Sequence, residues 1–313
     1  MNAAFVRYLG LRTMRAALTV WAVISLVFLM IHLVPGDPVD VILGDQASPE
    51  DRADLRRTLR LDQPLLSQYG HFLSDVADGS LGNSFRQRQA SVASLLREAM
   101  PHTAWLALSS LAFALALAIP LGAVAALKRG RLGDRVATTA AMLGIAIPNI
   151  WLGPLLVLGF GVQLQLLPMP GSDSTTGAAL ILPTITVGTA LMAILARQTR
   201  GALIEVLSEP YIQAARARGL SPATVLFRHA LRNALMPVIT VAAAQLGALL
   251  SGAVITEKIF ERPGLGTLFL EAFFDRDIPV VQGCVLVIAL IYVTVNLLVD
   301  LFYVWIDPRV RLA

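Results

Sequence analysis

The stretch from Tyr211 to Pro237, YIQAARARGLSPATVLFRHALRNALMP, is basic and helical in composition, yet it lies between two strongly apolar runs. Its punctuation predicts two helices. The first starts near Ser208-Glu209-Pro210, with proline where its missing N–H costs least, and runs to Arg218. Gly219 can adopt the left-handed conformation that closes a helix. Ser221 then caps a second helix that has Pro222 at its first position. Ala214, Ala215 and Gly219 are expected to leave one face almost without side-chain bulk, while Arg216, Arg218, Arg228 and Arg232 offer charge to acids or phosphates. Three readings compete: a solvated loop that follows the orientation rule, a DNA-reading helix-turn-helix, and a docking surface for another protein.

The surroundings weaken the second reading. The chain is 56% hydrophobic and 15% charged, against about 25% charged in soluble domains. Apolar windows of about 20 residues match the ~30 Å hydrocarbon core of a bilayer, so the chain reads as an all-α integral membrane protein. Six spans are expected at about 14–34, 103–127, 137–161, 178–196, 234–256 and 280–304. The fourth is diluted by Pro183, and Pro120, Pro148 and Pro154 suggest kinked, bundled helices. The first span has no cleavage pattern and is read as retained. A segment as short as 197–233 between two spans cannot both build its own core and present a recognition helix, so no nucleic acid partner is expected.

Basic residues set the orientation. Arg7, Arg12, Arg15, Lys128, Arg129, Arg131, Arg135, Arg197, Arg200, the four arginines above, Arg309 and Arg311 share one side. Asp134, Glu205, Glu209 and Asp307 are the few acids there, whereas Asp37, Asp40, Asp45, Glu50, Asp51, Asp54, Glu257, Glu261, Asp275 and Asp277 lie opposite. Short basic loops stay cytoplasmic, so both termini and 197–233 are expected inside. The whole chain, 1–313, reads as one transmembrane domain with one external insertion, 35–102. That insertion should contain a helix capped by Ser48 with Pro49 first, and a second ending at Gly79.

Catalytic constellations are missing from the sequence. His32, His71, His102 and His229 are scattered with no i, i+4 partner, so no metal site is expected. No phosphate-binding loop, G-x-S-x-G or dinucleotide fingerprint occurs, so the chain should not hydrolyse ATP and should carry no cofactor. The single Cys284 excludes an intrachain disulfide. Asp300 stands near the cytoplasmic end of the last span, and no other acid is expected deep in the membrane. That argues against ion coupling, and so against a secondary transporter; a stand-alone channel is the other transport rival. The spans instead carry Asn149, Thr240, Gln245, Ser251, Thr294 and Asn296. These either bond between helices or line a translocation path, for which Asn149, Gln245, Ser251 and Asn296 are the candidates.

The opening stretch resembles the cytoplasmic loop of ABC-importer permeases, whose signature is Glu-Ala-Ala, three residues, Gly, nine residues, Ile-x-Leu-Pro. Gln213, Ala214, Ala215, Gly219, His229, Ala230, Leu231 and Arg232 occupy those places. The departures at Gln213, His229 and Arg232 look like the dipeptide/oligopeptide/nickel branch, whose loop resembles DYIRTARAKGL…HALRNALLPV. The resemblance runs along the chain through HLVPGDPV, LDQPLLSQY, GSLGNSF, IPLGAVAALKRG, IPNIWLGPLL, TEKIFERPGLG, RDIPVVQG and DPRVR. Within the branch it is most similar to the first, B-type permease of dipeptide and oligopeptide systems. The resemblance implies a type I importer permease in the plasma (inner) membrane. It would work with a second related permease, two ATPases that bind ATP and Mg, and an extracytoplasmic substrate-binding protein. It also implies ATPase coupling through Gln213, Ala214, Ala215, Arg218, Gly219, Leu220, His229 and Leu231. The implied cargo is di- or oligopeptides, with nickel chelates, glutathione or another small solute as the alternative.

Overall fold

The computed structural model describes residues 3–33, 39, 48–58, 60–87, 90–172 and 177–306. Its helices in chain order are α1 (Ala3–Leu33), α2 (Pro49–Thr58), α3 (Leu65–Ala77), α4 (Val92–Leu127), α5 (Leu132–Ala146), α6 (Asn149–Leu156), α7 (Ile181–Leu207), α8 (Pro210–Ala217), α9 (Pro222–Thr224), α10 (Leu231–Gly252), α11 (Val254–Ile259), α12 (Leu265–Phe274) and α13 (Ile278–Ile306). Among the described residues the β structure is a single isolated antiparallel bridge, Asn83 to Ser91.

Five helical stretches are long and apolar enough to cross a membrane: Gly10–Met30, Val92–Leu127, Gly177–Leu207, Pro222–Leu250 and Ile278–Val299. A sixth is a bent pair. The kink expected from Pro148 within 137–161 is a sharp break: α5 and the α6 stretch, which winds on as a π-turn over Val157–Gln163, meet at 97°. Pro148 is the cause. It drives Ile147 into an extended conformation (φ −90°, ψ 114°) and then serves as the N-cap of α6. The fourth span shows the opposite behaviour. Pro183 stands in the first turn of α7, where a missing N–H breaks no helical bond, so a helix of 27 residues continues well past 196.

α4 packs along α7 in the most extensive helix pairing, flanked by α5 and α10; α13 packs on α10 and α1. Small residues set the α4–α7 distance. A Cβ on Gly122 would lie 2.6 Å from the Ala196 carbonyl oxygen, and one on Gly188 would lie 3.1 Å from that of Ser110. Several hydroxyls in the spans are satisfied locally or across helices, whereas the buried Ser110 hydroxyl on α4 has no hydrogen-bond partner among the described residues. Thr186 and Thr199 donate to the carbonyls four residues back, and the hydroxyls of Ser109 and Thr184 meet at 2.7 Å between α4 and α7.

The segment after α1 is capped as read from sequence: the Asp51 amide donates to Ser48 Oγ at 3.1 Å, and Gly79 has φ +74°. α3 rests on α1, with Tyr69 and Phe72 rings against Phe28 and the Tyr69 hydroxyl 2.7 Å from that of Ser25. α4 begins at Val92 behind its Ser91 cap, so the end of the 35–102 stretch is the first part of that 36-residue helix. Within 35–102, residues 35–38, 40–47, 59 and 88–89 lie outside the described residues.

Candidate functional site: the arginine-rich turn and the corner of buried acids

The arginine-rich turn is built on the end of α7. Glu209 is extended (φ −66°, ψ 144°) and Pro210 opens α8. The helix closes with two bonds of a Schellman turn, Gly219 N–H to the Arg216 carbonyl (2.9 Å) and Leu220 N–H to that of Ala215 (3.4 Å). Gly219 has φ +79°, so its lack of a side chain is used here. Ser221 Oγ then accepts from the Thr224 amide at 3.2 Å, and Pro222 starts the next helix. That helix is not separate from the fifth span. It runs from Pro222 through a π-turn at Val225–Ala230 into α10, so the expected loop of two helices followed by a span at 234 is corrected. The π-turn accommodates an extra residue without ending the helix.

One side of α8 is anchored. Ile212 and Ala215 are buried with Ala126, Leu203, Val225, Ala230 and Ala234, tying α8 to the ends of α4 and α7 and the start of α10. The expectation of one bulk-free outer face is therefore corrected at Ala215, whose methyl points into this cluster. Ala214 and Gly219 remain exposed, with Gln213, Arg218 and Leu220 beside them. A Cβ on Gly219 would meet nothing within 4 Å. His229 and Leu231 are half-buried at the root of α10, off that outer surface. Arg216, Arg218, Arg228 and Arg232 are exposed, with no salt bridge to a described acid. Sequence reasoning missed one brace: Asn233 Nδ2 donates to the Tyr211 hydroxyl at 2.7 Å across the turn. Both residues lie in the quoted stretch, but nothing in their spacing pairs them.

The translocation candidates are not brought together. Asn149 opens α6 just past the bend, Gln245 is half-buried on α10, and Asn296 Nδ2 bonds the Tyr292 carbonyl of its own helix at 2.9 Å. The Ser251 and Asp300 side chains lie outside the described residues. Gln282 joins two spans instead: its Nε2 on α13 donates to the Val27 carbonyl of α1 at 2.8 Å.

The corner formed by α11, α12 and the start of α13 holds buried acids. Glu257, expected only as an external acid, is fully buried. Its carboxylate accepts from the Thr103 hydroxyl (2.5 Å) and the amides of Gly266 (2.7 Å) and Thr267 (3.3 Å). Burial pushes its pKa up, outweighing these donors and nearby Arg262, which lower it. Arg262 is 4% exposed, and burial likewise lowers its pKa. Asp277 accepts from the Ser84 hydroxyl and the amides of Phe85 (3.1 Å) and Arg86 (3.3 Å). Two recognised motifs, GSLGNSF and RDIPVVQG, are thus joined by one carboxylate. These acids brace loops outside the spans.

The comparisons agree with this architecture. Residues 118–312 match the family model described as the binding-protein-dependent transport system inner membrane component, and residues 5–107 match the model of its N-terminal part. The glutathione transport system permease protein GsiC of Escherichia coli O6:H1 is 40% identical over 311 residues, covering 99% of each chain. Its counterpart in Salmonella choleraesuis is also 40% identical, with the same coverage. Two solved structures share the fold. An amino acid ABC transporter with histidines has a TM-score of 0.53 at 14% identity, covering 67% of this chain and 92% of that one. The MetNI methionine ABC transporter, in an inward-facing conformation, has 0.51 at 20%, covering 66% and 95%. A membrane bundle with a capped, outward-facing turn and family matches along nearly its full length leaves one conclusion: this chain belongs to the binding-protein-dependent inner membrane component family and is an ABC importer permease subunit.

Proposed function

We propose that this subunit forms half of a translocation path for short peptides, glutathione included, and receives its driving force through α8. The carrying observation is the two-sidedness of that helix: Ile212 and Ala215 fix it to the bundle, while Gln213, Ala214, Arg218, Gly219 and Leu220 are open to a partner. An ATPase holding ATP and Mg docks there, and its closure moves the ends of α4, α7 and α10 together through the shared apolar cluster. A second related permease completes the path, a second ATPase serves that subunit, and both termini are cytoplasmic. An extracytoplasmic binding protein delivers cargo to the insertion that α3 holds on α1. The 40% identity to glutathione permeases across their whole length supports a tripeptide-sized cargo.

The test is uptake into proteoliposomes by the complete importer, with labelled glutathione, a dipeptide and a pentapeptide offered separately. ATP-dependent uptake of glutathione or a peptide is the expected result; uptake confined to nickel chelates would overturn the cargo. Uptake by this chain alone without ATP would overturn the coupling role. Deleting 48–78 should abolish delivery by the binding protein while the ATPases remain bound.

A further inference from the structure

A narrow, open cleft lies between α4, α5 and α7 at their cytoplasmic ends. Leu121, Ala125, Met142, Ile145 and Ala193 make its deeper part apolar, and Arg197 and Arg200 line the cytoplasmic end. From Ala193 to Arg200 the cleft spans about 10 Å at 1.5 Å per residue. The two arginines differ. Arg200 is held by Asp134 through two bonds of 2.7 and 2.8 Å. That carboxylate also accepts from the Gly130 amide and the Thr138 hydroxyl, so its charge is spent. Arg197 is exposed and has no salt bridge to a described acid. Arg135 stands on the same helical row as Thr138, Met142 and Ile145, and Lys128, Arg129 and Arg131 follow on the adjoining turn, all exposed. Leu132 and Val136, 76% and 67% exposed, mark this turn as lying at the membrane surface.

We propose that the cleft is a binding site for one anionic phospholipid of the cytoplasmic leaflet. One acyl chain lies between α4, α5 and α7, and the phosphate sits at Arg197 and Arg135. The polarity of the cleft, apolar inward and cationic toward the cytoplasm, is that of an inner-leaflet lipid with an anionic headgroup. Each basic residue near the headgroup is worth about a fivefold change in affinity.

The test uses the assembled importer in mild detergent, incubated with dioleoyl phosphatidylglycerol or dioleoyl phosphatidylcholine and weighed by native mass spectrometry. Wild type should retain one phosphatidylglycerol through a delipidating wash and no phosphatidylcholine. Arg197→Gln should weaken retention about fivefold, Arg197→Lys should restore most of it, and Ala141→Trp should block it by filling the cleft with charge unchanged. A thermal melt of each variant separates lipid loss from misfolding. Equal retention by wild type, Arg197→Gln and a folded Ala141→Trp overturns the proposal. So does a disulfide from a cysteine placed at Met142 to the second permease, which would show that protein fills the cleft.

Discussion

The two ends of this molecule treat charge in opposite ways. At the α8 turn, four arginines are exposed and meet no described acid in a salt bridge, while the apolar side of α8 holds the helix in place. At the corner between α11 and α13, Glu257 and Asp277 are buried and each accepts three hydrogen bonds from its own chain. Exposed, unpaired charge is available to another molecule and adds little to stability. Buried, saturated charge braces the chain, and removing it strands its donors. Changes at the corner should therefore act on stability, and changes at the turn on coupling.

Glu257→Ala should give the largest loss of stability. It leaves the Thr103 hydroxyl and two buried amides unpaired, a cost of about 3–5 kcal/mol read as a lower melting temperature and poor yield. A melting temperature like that of wild type would break the contrast. Asp277→Ala should follow at about 1–3 kcal/mol, with faster proteolysis near Ser84 as its local signature.

Gly219→Asp sharpens the other side. Nothing obstructs the new side chain, so the cost is the left-handed backbone, about 1–2 kcal/mol. ATPase co-purification and uptake should nevertheless fall to near background. Normal uptake in this variant would remove the docking role of the turn. Tyr211→Phe loses one exposed hydrogen bond to Asn233 and should cost about 0.5–1 kcal/mol, with uptake reduced only mildly.

The smallest effect is a pH slope. Burial raises the Glu257 pKa above its ordinary 4.5, so between that value and the folded pKa the native state holds a proton that the unfolded chain lacks. The stability from this group is full below 4.5 and is lost as pH rises through the folded pKa. Glu257→Gln, which cannot ionise, should flatten that part of the melting-temperature profile. An unchanged slope would place the proton elsewhere.

Local chemistry was legible wherever one residue decides the backbone. Ser48, Pro210, Gly219 and Ser221 each act where sequence places them, because caps, proline and left-handed glycine depend on neighbours within four residues. Apolar length likewise located the spans, since a bilayer demands it of any helix that crosses. Pro148 was visible as a probable kink, but its 97° bend was not, because the angle depends on what α6 packs against. The inward turn of Ala215, the burial of Glu257, the Gln282 clasp on α1 and the Tyr211–Asn233 brace were not legible either. Each joins groups distant in the chain, and only the packed bundle brings those donors and acceptors within reach. Sequence alone determined a multi-pass permease with a capped, arginine-rich turn; tertiary structure decided which charges face outward and which are spent inside, because burial and pairing are properties of the assembled helices.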